Sequence, residues 1–112
     1  RLGAEALPAA DVVRMATEGG AKTLGWEKEM GTLEVGKRAN MILVNQDSVH
    51  TIPSTNPATN VVYSNVASDV LMTIVNGEIL YEDGQLTTID EDRLKDDVRR
   101  QWKKLVQRAG LG

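Results

Sequence analysis

The sequence predicts an α+β fold from three observations: a helical apolar period near its start, a longer one near its end, and glycine-punctuated apolar runs between them. The first helix is expected from Pro8 to Glu18, where Ala9, Val12, Val13 and Ala16 repeat at i, i+3, i+4 and i+7. Pro8 suits a first helical turn because the N–H it lacks would have no partner there. Gly19-Gly20 is expected to end this helix in a left-handed turn, with a short second piece from Ala21 to Leu24 ending at Gly25.

From Gly31 the punctuation becomes that of β structure. Gly31 and Gly36 bracket Thr32-Leu33-Glu34-Val35 as an expected strand. A turn over residues 36–40 leads to a buried-type strand, Met41-Ile42-Leu43-Val44. Residues 47–59, rich in Ser, Thr, Asn and Pro, read as a surface loop, and Val61-Val62-Tyr63 as a short strand after it. Val70 to Val75, then Asn76-Gly77, then Glu78 to Tyr81 is the strongest local signal. Asn-Gly accepts the positive φ angles of a type I′ turn and so closes a two-residue hairpin. Glu82-Asp83-Gly84 ends the second strand, and residues 85–89 add a brief extended piece. Asp90 is an N-cap for a last helix over about 91–109, whose apolar stripe is Leu94, Val98, Trp102, Leu105 and Val106. The strands are apolar on both faces, so the sheet they form needs cover on both sides.

Composition excludes several functions. The chain has 112 residues, 41% hydrophobic and 26% charged, which suits one globular domain. Its net charge of −3, with bases interleaved among acids, argues against a nucleic-acid surface. No apolar run approaches the roughly 20 residues that cross a bilayer, and no signal peptide is visible, so a cytoplasmic protein without a membrane partner is expected. Zero cysteines remove disulfides, thiolate metal sites and thiol nucleophiles.

The chemistry-bearing residues form no active-site pattern. His50, the one histidine, lies in the expected loop without a His-x-His or His-Glu-x-x-His companion, and reads as an exposed imidazole. Asp90, Glu91, Asp92, Asp96 and Asp97 suit a solvated helix start beside Arg93, Lys95, Arg99 and Arg100. Gly19, Gly20 and Lys22 lack the order of a phosphate loop. Ser48, Ser54, Ser64 and Ser68 lack a nucleophile setting. Trp26 and Trp102 read as packing residues. No catalytic, cofactor-binding or metal-binding residue is assigned in this chain.

Met15-Ala-Thr-Glu-Gly-Gly-Ala-Lys-Thr-Leu-Gly, then Gly31-Thr-Leu-Glu-Val-Gly-Lys-Arg-Ala-Asn-Met-Ile-Leu-Val, resembles the ending of the amidohydrolase superfamily. Asn60-Val-Val-Tyr and the hairpin over 70–84 extend the resemblance to about residues 5–108. Within the superfamily, the Gly-Gly-Ala-Lys and Asn-Val-Val-Tyr phrases are most similar to aminohydrolases acting on adenosine-derived thioethers, guanine, cytosine and chlorinated triazines. Asn40 stands where that family usually has Asp. The resemblance implies that residues 1–30 are the last helices of a TIM-type barrel, 31–89 the strands of a composite β-sandwich, and 90–112 a closing helix.

It further implies an intact parent that uses a divalent metal, zinc or iron, to deaminate a cyclic amidine or nucleobase-like small molecule, and that is a homo-oligomer. The metal ligands and acid/base glutamate would lie upstream, which agrees with a chain opening on Arg1. The segment alone is expected to be inactive and to self-associate through its apolar sheet. Two other readings stay open: a stand-alone β-rich interaction module, and a segment of an amide-ring hydrolase such as a dihydropyrimidinase.

Overall fold

The computed structural model describes residues 3, 6–54 and 56–111. The first helix does begin after Pro8, as α1 (Ala9–Arg14), but it runs straight through the two glycines that were expected to stop it. A π turn (Met15–Gly19) passes into α2 (Gly20–Thr23), and Gly19 and Gly20 both hold right-handed helical angles. Glycine permits a left-handed stop without compelling one. The stop comes at Gly25, φ +72°. There the Trp26 N–H donates to the Ala21 carbonyl (2.9 Å) and the Gly25 N–H to the Lys22 carbonyl (3.0 Å), the paired bonds of a Schellman motif.

β1 (Met41–Val44), β2 (Val70–Val75), β3 (Glu78–Glu82) and β4 (Gln85–Leu86) form one antiparallel sheet in sequence order. The hairpin forms where the Asn-Gly pair predicts it, with φ +50° at Asn76 and +80° at Gly77. Its turn is anchored from outside: the Asn76 N–H donates to Asn40 Oδ1 (2.8 Å) and the Gly77 N–H to the Ala39 carbonyl (3.0 Å). Aspartate at position 40 offers the same acceptor. We expect Asn40→Asp to be close to neutral and Asn40→Ala to cost about 1 kcal/mol, read as faster hydrogen exchange at the Asn76 amide.

Two expected strands are absent among the described residues. Residues 32–35 are irregular, with Leu33 79% exposed and Val35 fully so, because no other strand lies alongside to take their backbone groups. Val61-Val62-Tyr63 belongs to a helix, α3 (Pro57–Tyr63), which also shortens the loop expected over 47–59. Asn56 Oδ1 accepts the Ala58 N–H (2.9 Å) and Pro57 occupies the first turn, and this start chemistry outweighs the β preference of two valines. The last helix, α4 (Glu91–Arg108), matches expectation, with Asp90 Oδ1 accepting the Arg93 N–H (3.1 Å).

These elements enclose almost no core. Ala21 is the only buried apolar residue among those described, and both tryptophans are at least half exposed. The radius of gyration is 19.4 Å, against about 13 Å for a compact domain of this length. Accessible surface is 9184 Å², against about 6,100 Å² for a folded monomer of this mass. Ile42 and Leu43, neighbours on β1 and so on opposite sheet faces, are both about half exposed. The sheet has the two apolar faces that the sequence predicts, and among the described residues no apolar side chain on either face is fully buried.

Candidate functional site

The best-organised polar cluster in the chain joins the loop after β1 to the segment between α3 and β2. Its centre is Asp69, which is buried at 4% exposure. Four donors converge on this carboxylate. Oδ2 accepts from His50 Nε2 (2.7 Å), Asn65 Nδ2 (2.9 Å) and the Val66 N–H (2.9 Å), and Oδ1 accepts from Ser48 Oγ (3.1 Å). Hydrogen bonds from Asn65, then His50, then the Val66 N–H hold the carboxyl well below the usual carboxylate range, because each stabilises the charged form.

A ring of amides extends the cluster. Asn60, buried within α3, donates through Nδ2 to Gln46 Oε1 (2.8 Å) and to the Thr51 carbonyl (3.2 Å). Gln46 Nε2 donates to Asn65 Oδ1 (2.9 Å), and Asn65 Nδ2 reaches the Asn45 carbonyl (3.0 Å). Thr51, 2% exposed, exchanges hydrogen bonds with Ser48. Among the described residues no buried side-chain polar atom is left without a partner.

In this cluster the polar groups bond to one another and so fasten one segment of the chain to another. A general acid or base needs a proton-transfer partner and an accessible lone pair near the operating pH. Asp69 is held ionised with its oxygens occupied. His50 does lie in the loop assigned to it, with its side chain 44% exposed, but it is tied to Asp69 rather than free. Among the described residues no three His, Cys, Asp or Glu side chains gather where they could hold a metal ion. The acids of α4 pair with bases one turn away, Asp96 with Arg99 at 2.8 Å and Asp97 with Arg100, as a solvated face would. Among the described residues no helix is long and apolar enough to cross a membrane.

A concavity of about 720 Å³ lies between the α1–α2 helix, residues 30–33 and strands β1 and β2. Ala21, Leu24, Met30, Leu33, Ile42 and Val75 line it, and no titratable side chain does. Orienting a polar ligand takes a few placed polar groups, and these walls offer mainly apolar area. Sequence reasoning missed the Asp69 cluster, whose one local hint is the density of Asn and Ser from Asn60 to Asp69.

A sequence model of the Amidohydrolase family matches residues 2–80. The 5-methylthioadenosine/S-adenosylhomocysteine deaminase of Thermoanaerobacter pseudethanolicus is 39% identical over 103 residues, covering 92% of this chain and 24% of that protein. The 5′-deoxyadenosine deaminase of Methanosarcina barkeri is 40% identical over 104 residues, 93% of this chain and 24% of that protein. Among solved structures, an adenosine deaminase from Xanthomonas campestris with bound zinc superposes with a TM-score of 0.81 at 29% identity, over 90% of this chain and 23% of that one. An atrazine chlorohydrolase from Arthrobacter aurescens complexed with zinc gives 0.74 at 28% identity, over 84% and 20%. The chain thus spans about a quarter of the length of the curated relatives it matches.

Proposed function

The chain belongs to the amidohydrolase family, and we propose that it is the carboxy-terminal scaffold of a metal-dependent hydrolase that deaminates a cyclic amidine of the adenosine kind. The observation that carries this reading is the 39% identity along 92% of the chain to a deaminase of adenosine thioethers. The fold supports the scaffold role in particular. A chain with two incompletely covered sheet faces and, among its described residues, one buried apolar side chain has the surface of a part, and about 3,000 Å² of it exceeds what a folded monomer of this mass exposes.

In this reading residues 1–30 are the last helices of a barrel, 31–89 contribute strands to a composite sandwich, and 90–112 close it. The groove between α1–α2 and β1–β2 is then the seam where barrel and sandwich meet, which explains its apolar walls. The divalent metal, zinc or iron, falls to residues outside this chain. What these residues supply is rigidity: the Asp69 cluster fixes the loop after β1, and the Asn40 anchor fixes the hairpin.

The test compares the 112-residue chain with the whole protein that carries it, assaying ammonia release from 5′-methylthioadenosine and adenosine with added zinc. The whole protein is expected to release ammonia and the chain to release none. Release by the chain alone would overturn the scaffold role. A whole protein that opened dihydrouracil and left both purines intact would overturn the deaminase reading in favour of an amide-ring hydrolase.

A further inference from the structure

The turn between β2 and β3 holds the one Asn-Gly pair in the chain, Asn76-Gly77. An asparagine side chain is open to attack at Cγ by the backbone nitrogen of the residue that follows it. A new N–Cγ bond closes a succinimide ring, the Cγ–Nδ2 bond breaks, and the nitrogen's proton leaves with the departing amide as ammonia. Water then opens the ring to aspartate or isoaspartate. A side chain on the following residue hinders the attack, and glycine has none. The other five asparagines precede Met41, Gln46, Pro57, Val61 and Val66. Pro57 has no N–H to lose, and the two valines are branched at Cβ.

The fold adds a hold on the attacking nitrogen. The Gly77 N–H donates to the Ala39 carbonyl (3.0 Å), and the Asn76 N–H before it donates to Asn40 Oδ1 (2.8 Å). Ring closure requires the Gly77 nitrogen to shed its proton, and a hydrogen-bonded amide gives up its proton only when the bond opens, as in amide exchange. The backbone around the reacting atoms is fixed as well, with φ +50° at Asn76, φ +80° at Gly77 and Val75 paired with Glu78 on either side. The geometry points to Asn76 as the deamidation site of this chain, kept latent by the anchor that residues 39 and 40 place on its turn. Every one of these contacts lies within the chain, whatever the remainder of the protein covers and whatever reaction it catalyses. Conversion would matter to the sheet: isoaspartate inserts an extra methylene into a turn whose two residues set the β2–β3 register, and either product adds a negative charge beside Glu78.

The test incubates the whole protein at mildly alkaline pH and follows the peptide that contains Asn76 by mass spectrometry. In denaturant, Asn76 is expected to convert faster than any other asparagine of residues 1–112, and conversion in the folded protein is expected to be at least about tenfold slower. Asn40→Ala removes one of the two anchoring acceptors. It should speed conversion in the folded protein about fivefold, raise exchange at the Gly77 amide by the same factor, and change nothing in denaturant. Asn40→Asp keeps the acceptor and should stay within about twofold of the parent. Equal rates in folded and denatured protein would overturn the latency, and unchanged conversion in a folded Asn40→Ala protein would overturn the part given to the anchor. Should Asn40→Ala fail to fold, the parent decides. In denaturant below its unfolding transition, conversion at Asn76 and exchange at Gly77 are expected to accelerate together, and conversion that stays constant while exchange rises would overturn the link between them.

Discussion

Gly31→Ala is expected to cost about 3 kcal/mol, more than any other glycine substitution among the described residues, through backbone strain combined with a collision. Gly31 has φ +103°, where a Cβ is unfavourable by roughly 1–2 kcal/mol. A Cβ built there would also lie 2.8 Å from Ala21 Cβ, 3.2 Å from the Thr17 carbonyl oxygen and 3.3 Å from Glu18 Cα. The last two atoms are helix backbone, and Ala21 has no side chain to swing away. The segment after Trp26 therefore crosses the π turn and α2 at a distance only glycine allows. Gly36 is the natural control, with φ +92° and nothing within 4 Å of its Cβ position. Gly36→Ala should cost only the strain, about 1 kcal/mol, and the difference in thermal unfolding between the two variants isolates the close approach. Equal losses would mean that residues 30–33 do not pack on the helix in solution.

The contrast between α3 and the hairpin marks what a sequence discloses. Asn76-Gly77 and the Asp90 cap act within four residues, so their chemistry is complete in the local string and the structure follows it. Residues 57–63 carry two conflicting local signals, the β preference of Val61 and Val62 and the Asn56-Pro57 start, and the start prevails because it satisfies a backbone N–H outright. Leu33 and Val35 show another limit. A strand is a property of a pair, and a segment with strand composition stays irregular where its neighbour is absent. The incompletely covered sheet was legible for the same reason, since an apolar run on both faces declares a need for cover whatever supplies it.

The site was the least legible part. The family's ending could be recognised from phrases such as Asn60-Val-Val-Tyr, but the work those residues do depends on partners far off in sequence. Asn60 reaches Gln46, and Asp69 collects donors from Ser48 and His50, 21 and 19 positions earlier. No periodicity or spacing reports such contacts. What looked like a polar loop with an idle histidine is a fastening, and its residues are Asn, Ser, Thr and Gln because a buried carboxylate needs donors on every side.

That fastening gives the second large expected effect. Asp69→Ala leaves Ser48, His50, Asn65 and the Val66 N–H without this acceptor around a position only 4% exposed, and unpaired donors cost more than the lost bonds. Amide exchange at Asn45, Thr51 and Val66 should accelerate by at least about tenfold, with residues 45–51 released from β2. Asp69→Asn keeps one acceptor oxygen but turns an amide N–H₂ toward donors, so it should fall between Ala and the parent. His50→Gln, at a half-exposed position and still able to donate, should be the mildest. The pH dependence has a definite sign. The folded carboxyl titrates below its unfolded value of about 3.9, so its contribution is fully present above that value and declines as pH falls through it toward the lower folded value. Exchange at Val66 in the parent should therefore be protected at neutral pH and lose that protection relative to β2 amides below about pH 4, while Asp69→Ala shows no such additional loss. Identical acid profiles for parent and variant would remove Asp69 from its place as the ionised centre of the cluster.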